Sequence, residues 1–302
     1  MSVFLPNSEI RRYQTDGIKM NKLSLFARLA GRYARYFARA STIYDLHSPF
    51  VAAWTQAVLE DSRHFYAFAE IALLRERLRF DRSPLRIVDY GAGSLVNPSP
   101  VRTVADLAQH AAIAPATGRQ LFRLAQFCKP RTILEMGTSL GLSTLYLRGG
   151  ALNARLITLE GCPDVAAQAR QNFQLMNANS IELLEGAFAA TLPTALTNLA
   201  TLDLLFLDGD HRADATLGYF AQCLPFANEQ SVFVIADIHW SEAMQQAWQQ
   251  MRQHPRISLS IDVFHFGVLF FHKAARQTEH YTLVASRYKP WRLGLFAARH
   301  SC

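Results

Sequence analysis

Four cysteines in 302 residues, Cys128, Cys162, Cys223 and Cys302, stand far apart and form no C-x-x-C pair. That spacing excludes a zinc cluster or a disulfide framework and fits a reducing cytoplasm. Long apolar runs are missing too. The strongest, Val263 to Phe271, is interrupted by His265 and Gly267, well short of the ~18 residues that read as a transmembrane helix. The first twenty residues carry Arg11, Arg12 and Lys19 without a continuous apolar core, which argues against a secretory signal. Residues 21–40, rich in Arg and poor in acid, leave an organelle address open. Internal repeats and low-complexity segments are absent. Charged residues make up only 18% of the chain while half of it is apolar, enough to build one large α/β domain with an appendage.

The net charge of +7 sits at the two ends: residues 1–45 and residues 273–302 each carry an excess of five positive charges, leaving the middle slightly acidic. A nucleic-acid binder places a basic stripe on its working face, so this distribution argues against that class. The basic termini are compatible with an acidic partner or peripheral contact with an anionic membrane. Within Asn21 to Ala40, Leu25, Leu29, Tyr33 and Phe37 share a helical stripe, with Arg28, Arg32, Arg35 and Arg39 spread around it. The same pattern describes a helix packed on its own domain with solvated arginines.

From Arg131 onward, short apolar strands alternate with helical stretches, the pattern of a parallel sheet covered on both faces. Strands are predicted at 131–136, 155–160, 180–185, 202–208, 231–237, 257–264 and 266–272, and helices at 141–150, 163–176, 189–200, 212–224 and 241–253. The expected fold is α/β: a Rossmann-like, doubly wound, seven-stranded sheet whose last strand is antiparallel, because the link around His265 is too short for a crossover. Residues 41–130 read as mainly helical, with helices starting at Ser48-Pro49 and spanning Ala116 to Phe127. Three parts are expected: a helical extension with a basic tail over 1–115, the sheet domain over 116–285, and a basic tail over 286–302.

The segment Ile133 to Ser143 (ILEMGTSLGLS) is a strand running through a glycine turn into a helix. Glycine lets the backbone approach a ligand closely, and the helix start offers free N–H groups to an anion. The next strand ends at Glu160, 23 residues after Gly137. A carboxylate there can accept both hydroxyls of a ribose. The third strand leads into Glu185-Gly186-Ala187-Phe188, suited to contact with an adenine or to a plain surface turn. The fourth ends in Asp208-Gly209-Asp210-His211 and the fifth in Asp237-Ile238-His239-Trp240. Charges are seldom left at buried strand ends without use, and strand carboxyl ends are where open α/β sheets bind ligands. A second strand-and-glycine stretch, Arg86 to Ser94, is followed by Asn97-Pro98-Ser99-Pro100, which breaks any helix. It reads as a structural or substrate-side loop.

The run from Ala116 to about Lys273 resembles the class I methyltransferases, in particular the catechol O-methyltransferase-like small-molecule O-methyltransferases. The likeness rests on ILEMGTSLGLSTLYL, LITLEG, LLEGAF, LLFLDGDH and VIADIHW in that order. It implies S-adenosylmethionine as cofactor, its methionine part held by Gly137, Gly141 and Ser143 and its ribose by Glu160. The candidate cofactor contacts are Glu135, Gly137, Thr138, Ser139, Gly141 and Ser143 at the turn, Glu160 and Gly161 at the second strand end, Gly186, Ala187 and Phe188 at the third, and Asp208 at the fourth. In metal-dependent members, a divalent ion such as Mg is held by acids matching Asp208 and Asp237; their next ligand, an Asn, is replaced here by Ile238. The family's catalytic Lys is replaced by His211. The resemblance implies methyl transfer to a hydroxyl oxygen of a small-molecule acceptor. Asp208, Asp210, His211, Asp237 and His239 are the catalytic candidates, while Trp240 and His47 are the candidate substrate walls. His211 reads equally as a solvated helix-start residue and His47 as the residue opening a helix. The HSPF segment and GAGS loop are similar to those of bacterial methyltransferases, which names no substrate. Dimers are common in this family, so a homodimer is compatible.

An NAD(P)-dependent oxidoreductase needs G-x-G-x-x-G, and Met136-Gly137-Thr138-Ser139-Leu140-Gly141 lacks the first glycine pair. A nucleic-acid or protein methyltransferase would use the same cofactor, but LDGDH does not resemble the Asn/Asp-Pro-Pro-aromatic segment of base-methylating enzymes. A non-catalytic cofactor-binding module is disfavoured by the acids and His at both strand ends.

Overall fold

The computed structural model describes residues 22–88, 99–210, 212–272 and 278–292, with side chains from residue 27. The GAGS loop, His211 and both extreme termini lie outside the described residues. Internal contacts divide the chain after Ala38. Helix α1 (Lys22–Arg39) belongs almost wholly to the first unit, and its Tyr33 ring lies 5.9 Å from Tyr36 and 6.0 Å from Phe37.

In the second unit, α2 (Pro49–Thr55) and α3 (Tyr66–Phe80) precede a small hairpin of β1 (Pro84–Arg86) and β2 (Val101–Thr103). Then come α4 (Val104–His110) and α5 (Pro115–Cys128). Proline opens α2 and α5, where a missing N–H costs nothing. Thr103 caps α4 by accepting from the Asp106 amide.

The predicted alternation follows: β3 (Thr132–Met136), α6 (Leu142–Gly150), β4 (Arg155–Glu160), α7 (Pro163–Leu175), β5 (Ile181–Glu185), α8 (Phe188–Leu199), β6 (Leu202–Leu207), α9 (Ala213–Cys223), β7 (Ala227–Ala236), α10 (Glu242–Arg252), β8 (Leu259–Asp262) and β9 (Phe266–Phe270). β9 inserts antiparallel between β7 and β8, as its short link requires. The sheet departs from the expected seven strands in one respect. A further strand, β10 (Glu279–Thr282), pairs parallel to β8, giving eight strands among the described residues in the order β10-β8-β9-β7-β6-β3-β4-β5. Glu-His-Tyr-Thr carries no apolar alternation and stays largely exposed, so nothing in its pattern announces a strand. It is held instead by backbone pairing and by Ser41, whose amide donates to the Thr282 carbonyl.

Successive strand residues point to opposite faces, and two cores result. Ile133, Leu156, Leu204, Val232, Val234 and Val268 pack with Trp54 of α2, Leu121 and Leu124 of α5 and Leu147 of α6. Their neighbours Leu134, Ile157, Leu205, Phe233, Ile235 and Leu269 pack with α8, α9 and α10. A third cluster joins α3, α4, α6 and α7 beside β5. The helices between Pro49 and Cys128 therefore seal one face of the sheet. Among the described residues no helix is long and apolar enough to cross a membrane.

The closest approach in that cover lies between α5 and α6, where a Cβ on Gly150 would sit 2.2 Å from the Phe122 carbonyl oxygen. Gly150→Ala must push the two helices apart. It should lower stability by about 1–3 kcal/mol, read from urea denaturation midpoints, and an unchanged midpoint would refute this close-packing account.

Candidate active site

The centre of the site is the turn between β3 and α6. Gly137 and Gly141 have φ of +103° and +80°, a region that disfavours side chains, and Ser139 shares it at +49°. The Gly137 and Thr138 amides both donate to the Leu159 carbonyl, at 3.0 and 3.1 Å, while the Asp208 amide donates to the Met136 carbonyl at 2.9 Å. The turn is thus wedged between the ends of β4 and β6. A Cβ on Gly137 would stand 2.5 Å from the Asp208 carbonyl oxygen.

Beneath it lies Glu135, fully buried. Its carboxylate accepts from the hydroxyls of Thr144 and Thr158, the latter at 2.7 Å, and Thr158 pairs with Thr138 at 2.6 Å. Burial pushes the Glu135 carboxyl up to about 7, opposed by the hydroxyls of Ser143, Thr144 and Thr158. Glu160, at the end of β4, accepts from the Ser139 amide on one oxygen and the Cys162 amide on the other, both at 2.9 Å. Those bonds lock turn and strand end together and leave acceptor capacity on the cavity side. Burial raises the Glu160 carboxyl as well, against its backbone donors.

The opposite wall is formed by the ends of β6 and β7. Burial holds Asp208 well above the usual carboxylate range, and the neighbouring Asp237 and Glu135 charges add to it. Asp210 and Asp237 have φ near +50°, uncommon for residues with a Cβ. The Asp237 amide donates to the His265 carbonyl at 2.8 Å. Burial lowers the His265 imidazole below its ordinary value, with Asp237 pulling the other way. Asp210 is held by Arg212 through two bonds of 2.7 Å.

These walls enclose a cavity of about 970 Å³, within the usual size of small-molecule and cofactor sites. Of the sequence candidates, Gly137, Thr138, Ser139, Ser143, Glu160, Gly161, Ala187, Phe188, Asp208, Asp210, Asp237 and Trp240 line it. Glu135 sits below the turn. Gly141 turns its back to the cavity against Phe173, and Gly186 reaches β4 through its amide bond to the Glu160 carbonyl. His239 is outside the lining: Nε2 pairs with Asp262 and Nδ1 with Gln245, each at 2.8 Å, and its ring stacks on Phe264. His47 is exposed ahead of α2.

Sequence reasoning missed His265, which lines the cavity between β8 and β9, and the wall made by Ile87, Val88, Arg102, Leu107, His110 and residues 111–114. A lone histidine interrupting an apolar run was the available signal for His265. Nothing local marks the second group, which only packing brings to the cavity.

Among the described residues, the donors do not complete a metal site. Asp208 and Asp237 face one cavity, but Ile238 is fully buried and apolar, and both His239 nitrogens are engaged. Among the described residues no group of three or more His, Cys, Asp or Glu is fit to hold a metal ion.

Burial of Glu135 couples the protonation of its carboxyl to stability. Its folded value lies above the unfolded one of 4.5, so the protein favours the protonated form. Stability on this account is greatest below the unfolded value and falls as pH rises through about 7, by on the order of 3 kcal/mol if the whole shift is expressed. Melting curves from pH 5 to 8 should show Glu135→Gln gaining on the parent protein as pH rises; a constant difference would contradict the assignment.

Residues 134–238 match the model of a methyltransferase domain. The catechol O-methyltransferase of Mycobacterium tuberculosis is 33% identical over 129 residues, 42% of this chain and 57% of that protein. The catechol O-methyltransferase of Niastella koreensis is 37% identical over 101 residues, 32% of this chain and 46% of that one. The chain therefore spans about half the length of these curated relatives. In architecture it is similar to an O-methyltransferase from Bacillus cereus in complex with SAH (TM-score 0.50, 20% identity, 74% of this chain, 97% of that one). It is also similar to an SAH-bound methyltransferase from Podospora anserina (TM-score 0.53, 19% identity, 74% and 94%). With the glycine turn wedged between β4 and β6, an acid ending β4 and an antiparallel strand inserted beside β7, the chain has the fold of these methyltransferases, and its residues 134–238 match the model of a methyltransferase domain.

Proposed function

We propose that the protein transfers a methyl group from S-adenosylmethionine to a hydroxyl oxygen of a small-molecule acceptor. The observation that carries this is the single cavity that faces the Glu160 carboxylate and the glycine turn on one side and Asp208, Asp237 and His265 on the other. The residues fit the cofactor. Glu160 is oriented by two amides to accept ribose hydroxyls, the first amides of α6 suit an amino-acid carboxylate, and Ala187 and Phe188 offer an apolar wall to an adenine. When bound, the cofactor supplies a methyl group on a sulfonium, already a good leaving group. The protein's remaining work is to orient the acceptor and take its proton.

For proton removal His265 is the group we favour, with His211 as the sequence-based alternative. His265 lines the cavity, and a depressed pKa keeps its imidazole neutral and accepting at pH 7. Asp237 faces it and would stabilise the imidazolium that forms. Trp240, whose amide donates to the Asp237 carbonyl, forms the adjoining aromatic wall. We assign the reaction to the domain over 116–285, flanked in sequence by the 1–115 extension and the basic tail over 286–302. We place the protein in the cytoplasm, consistent with the free thiols of Cys128, Cys162 and Cys223. The relatives' names make a vicinal diphenol the first acceptor to try.

Calorimetry should show micromolar binding of S-adenosylhomocysteine and none of NAD⁺, with Glu160→Ala losing at least tenfold in affinity. Absence of S-adenosylhomocysteine binding to the parent protein would overturn the proposal. His265→Ala should cut kcat by about 10²–10⁴-fold while the nucleoside affinity holds. The acid limb of the parent's rate profile should lie below the ordinary imidazole value of about 6.5. Full turnover in His265→Ala would remove it as the base.

A further inference from the structure

Among the described residues, the cavity wall outside the matched segment 134–238 contains one buried cation. Arg102, on β2 opposite Leu85, lines the cavity with its side chain only 6% exposed. Its Nε donates to Asp106 on the first turn of α4, and Asp106 in turn stands 3.8 Å from His110. The two Nη groups make no hydrogen bond among the described residues. A guanidinium presents five N–H donors in a flat fork. Asp106 fixes the orientation through Nε, and the Nη groups are left to serve a ligand in the cavity that Arg102 lines.

We propose that Arg102 receives a carboxylate borne by the methyl acceptor, so that the enzyme selects hydroxylated organic acids over the corresponding neutral phenols. A carboxylate matches the fork with two parallel charge-assisted bonds. A dianionic phosphate suits the cavity less well, since Glu160, Asp208, Asp210 and Asp237 also line it. The cofactor's own carboxylate already has donors at the start of α6, on the β3 side of the cavity. Arg102 belongs to the β2–α4 wall, which lies outside residues 134–238. The inference rests on the methyltransferase reading for the identity of the two ligands, and uses chain segments that reading does not need.

The test compares pairs of probes that differ only in the carboxylate: 3,4-dihydroxybenzoate with catechol, and 4-hydroxybenzoate with phenol. Each is titrated by calorimetry into the full chain, with and without saturating S-adenosylhomocysteine. At least one acid should bind tenfold or more tighter than its neutral partner. Arg102→Gln should erase that advantage and Arg102→Lys restore part of it, with the neutral probe's affinity unchanged. Equal binding within both pairs, or no binding of either acid, overturns the proposal. So does a loss of S-adenosylhomocysteine affinity in Arg102→Gln that is absent for 5′-methylthioadenosine, which lacks the amino-acid end, because the carboxylate served would then be the cofactor's. Failure of the parent protein to bind S-adenosylhomocysteine would instead count against the methyltransferase reading, and the acid-versus-phenol comparison without nucleoside still decides the role of Arg102.

Discussion

The site depends on one backbone crossing. Gly137 passes between the ends of β4 and β6 so closely that a methyl group there would overlap the Asp208 carbonyl, and three amide–carbonyl bonds clamp the turn to both neighbours. Because β3 lies between β4 and β6 in the sheet, this clamp sets how far the acid ending one strand stands from the acid ending the other. Ser139, already in an unusual backbone region, then delivers its amide to Glu160. The strain of the turn, the orientation of the Glu160 carboxylate and the width of the cavity are consequences of the same crossing.

Around that crossing the protein concentrates carboxyl groups that burial disfavours as anions. Glu135, Glu160 and Asp208 all have raised pKa values with desolvation as the leading cause. Each is treated differently. Glu135 is surrounded by threonine hydroxyls and supports the turn, Glu160 is oriented by amides and faces the cavity, and Asp208 shares its wall with Asp237 beside a histidine kept neutral by the same burial. Such opposed environments are how one site separates structural, binding and proton-accepting roles among chemically similar groups. The stability given up here is offset elsewhere by two cores whose apolar residues interdigitate across the whole sheet.

The helices between Pro49 and Cys128 are more than an appendage. Trp54, Leu121 and Leu124 complete the core on one face, and Arg75 ties α3 to the Ile113 carbonyl on the cavity wall. Through β2, α4 and the link into α5, this segment closes the cavity with residues that the strand-end motifs do not contain. Acceptor choice on our reading is thus decided by one part of the chain and cofactor binding by another, which lets the two vary separately.

The strand–helix alternation, the glycine turn, Glu160 and the acids ending β6 and β7 were legible in the sequence, because each follows from local periodicity or from residue types at a strand end. The hairpin nature of β9 was legible too, since three linking residues leave no room for a crossover. What the chain alone left undecided is everything set by long-range contact. β10 has no apolar pattern of its own and exists because β8 offers it an edge and Ser41 a partner. Of the two histidines near the β7 end, His239 was the visible candidate, yet packing turns it toward Asp262 and Gln245, while His265, hidden in an apolar run, reaches the cavity wall. Local sequence determines which elements form and what chemistry their ends can offer. Which side chains meet in the cavity is decided by side-chain direction and burial, and these are fixed only when the sheet closes under its helices.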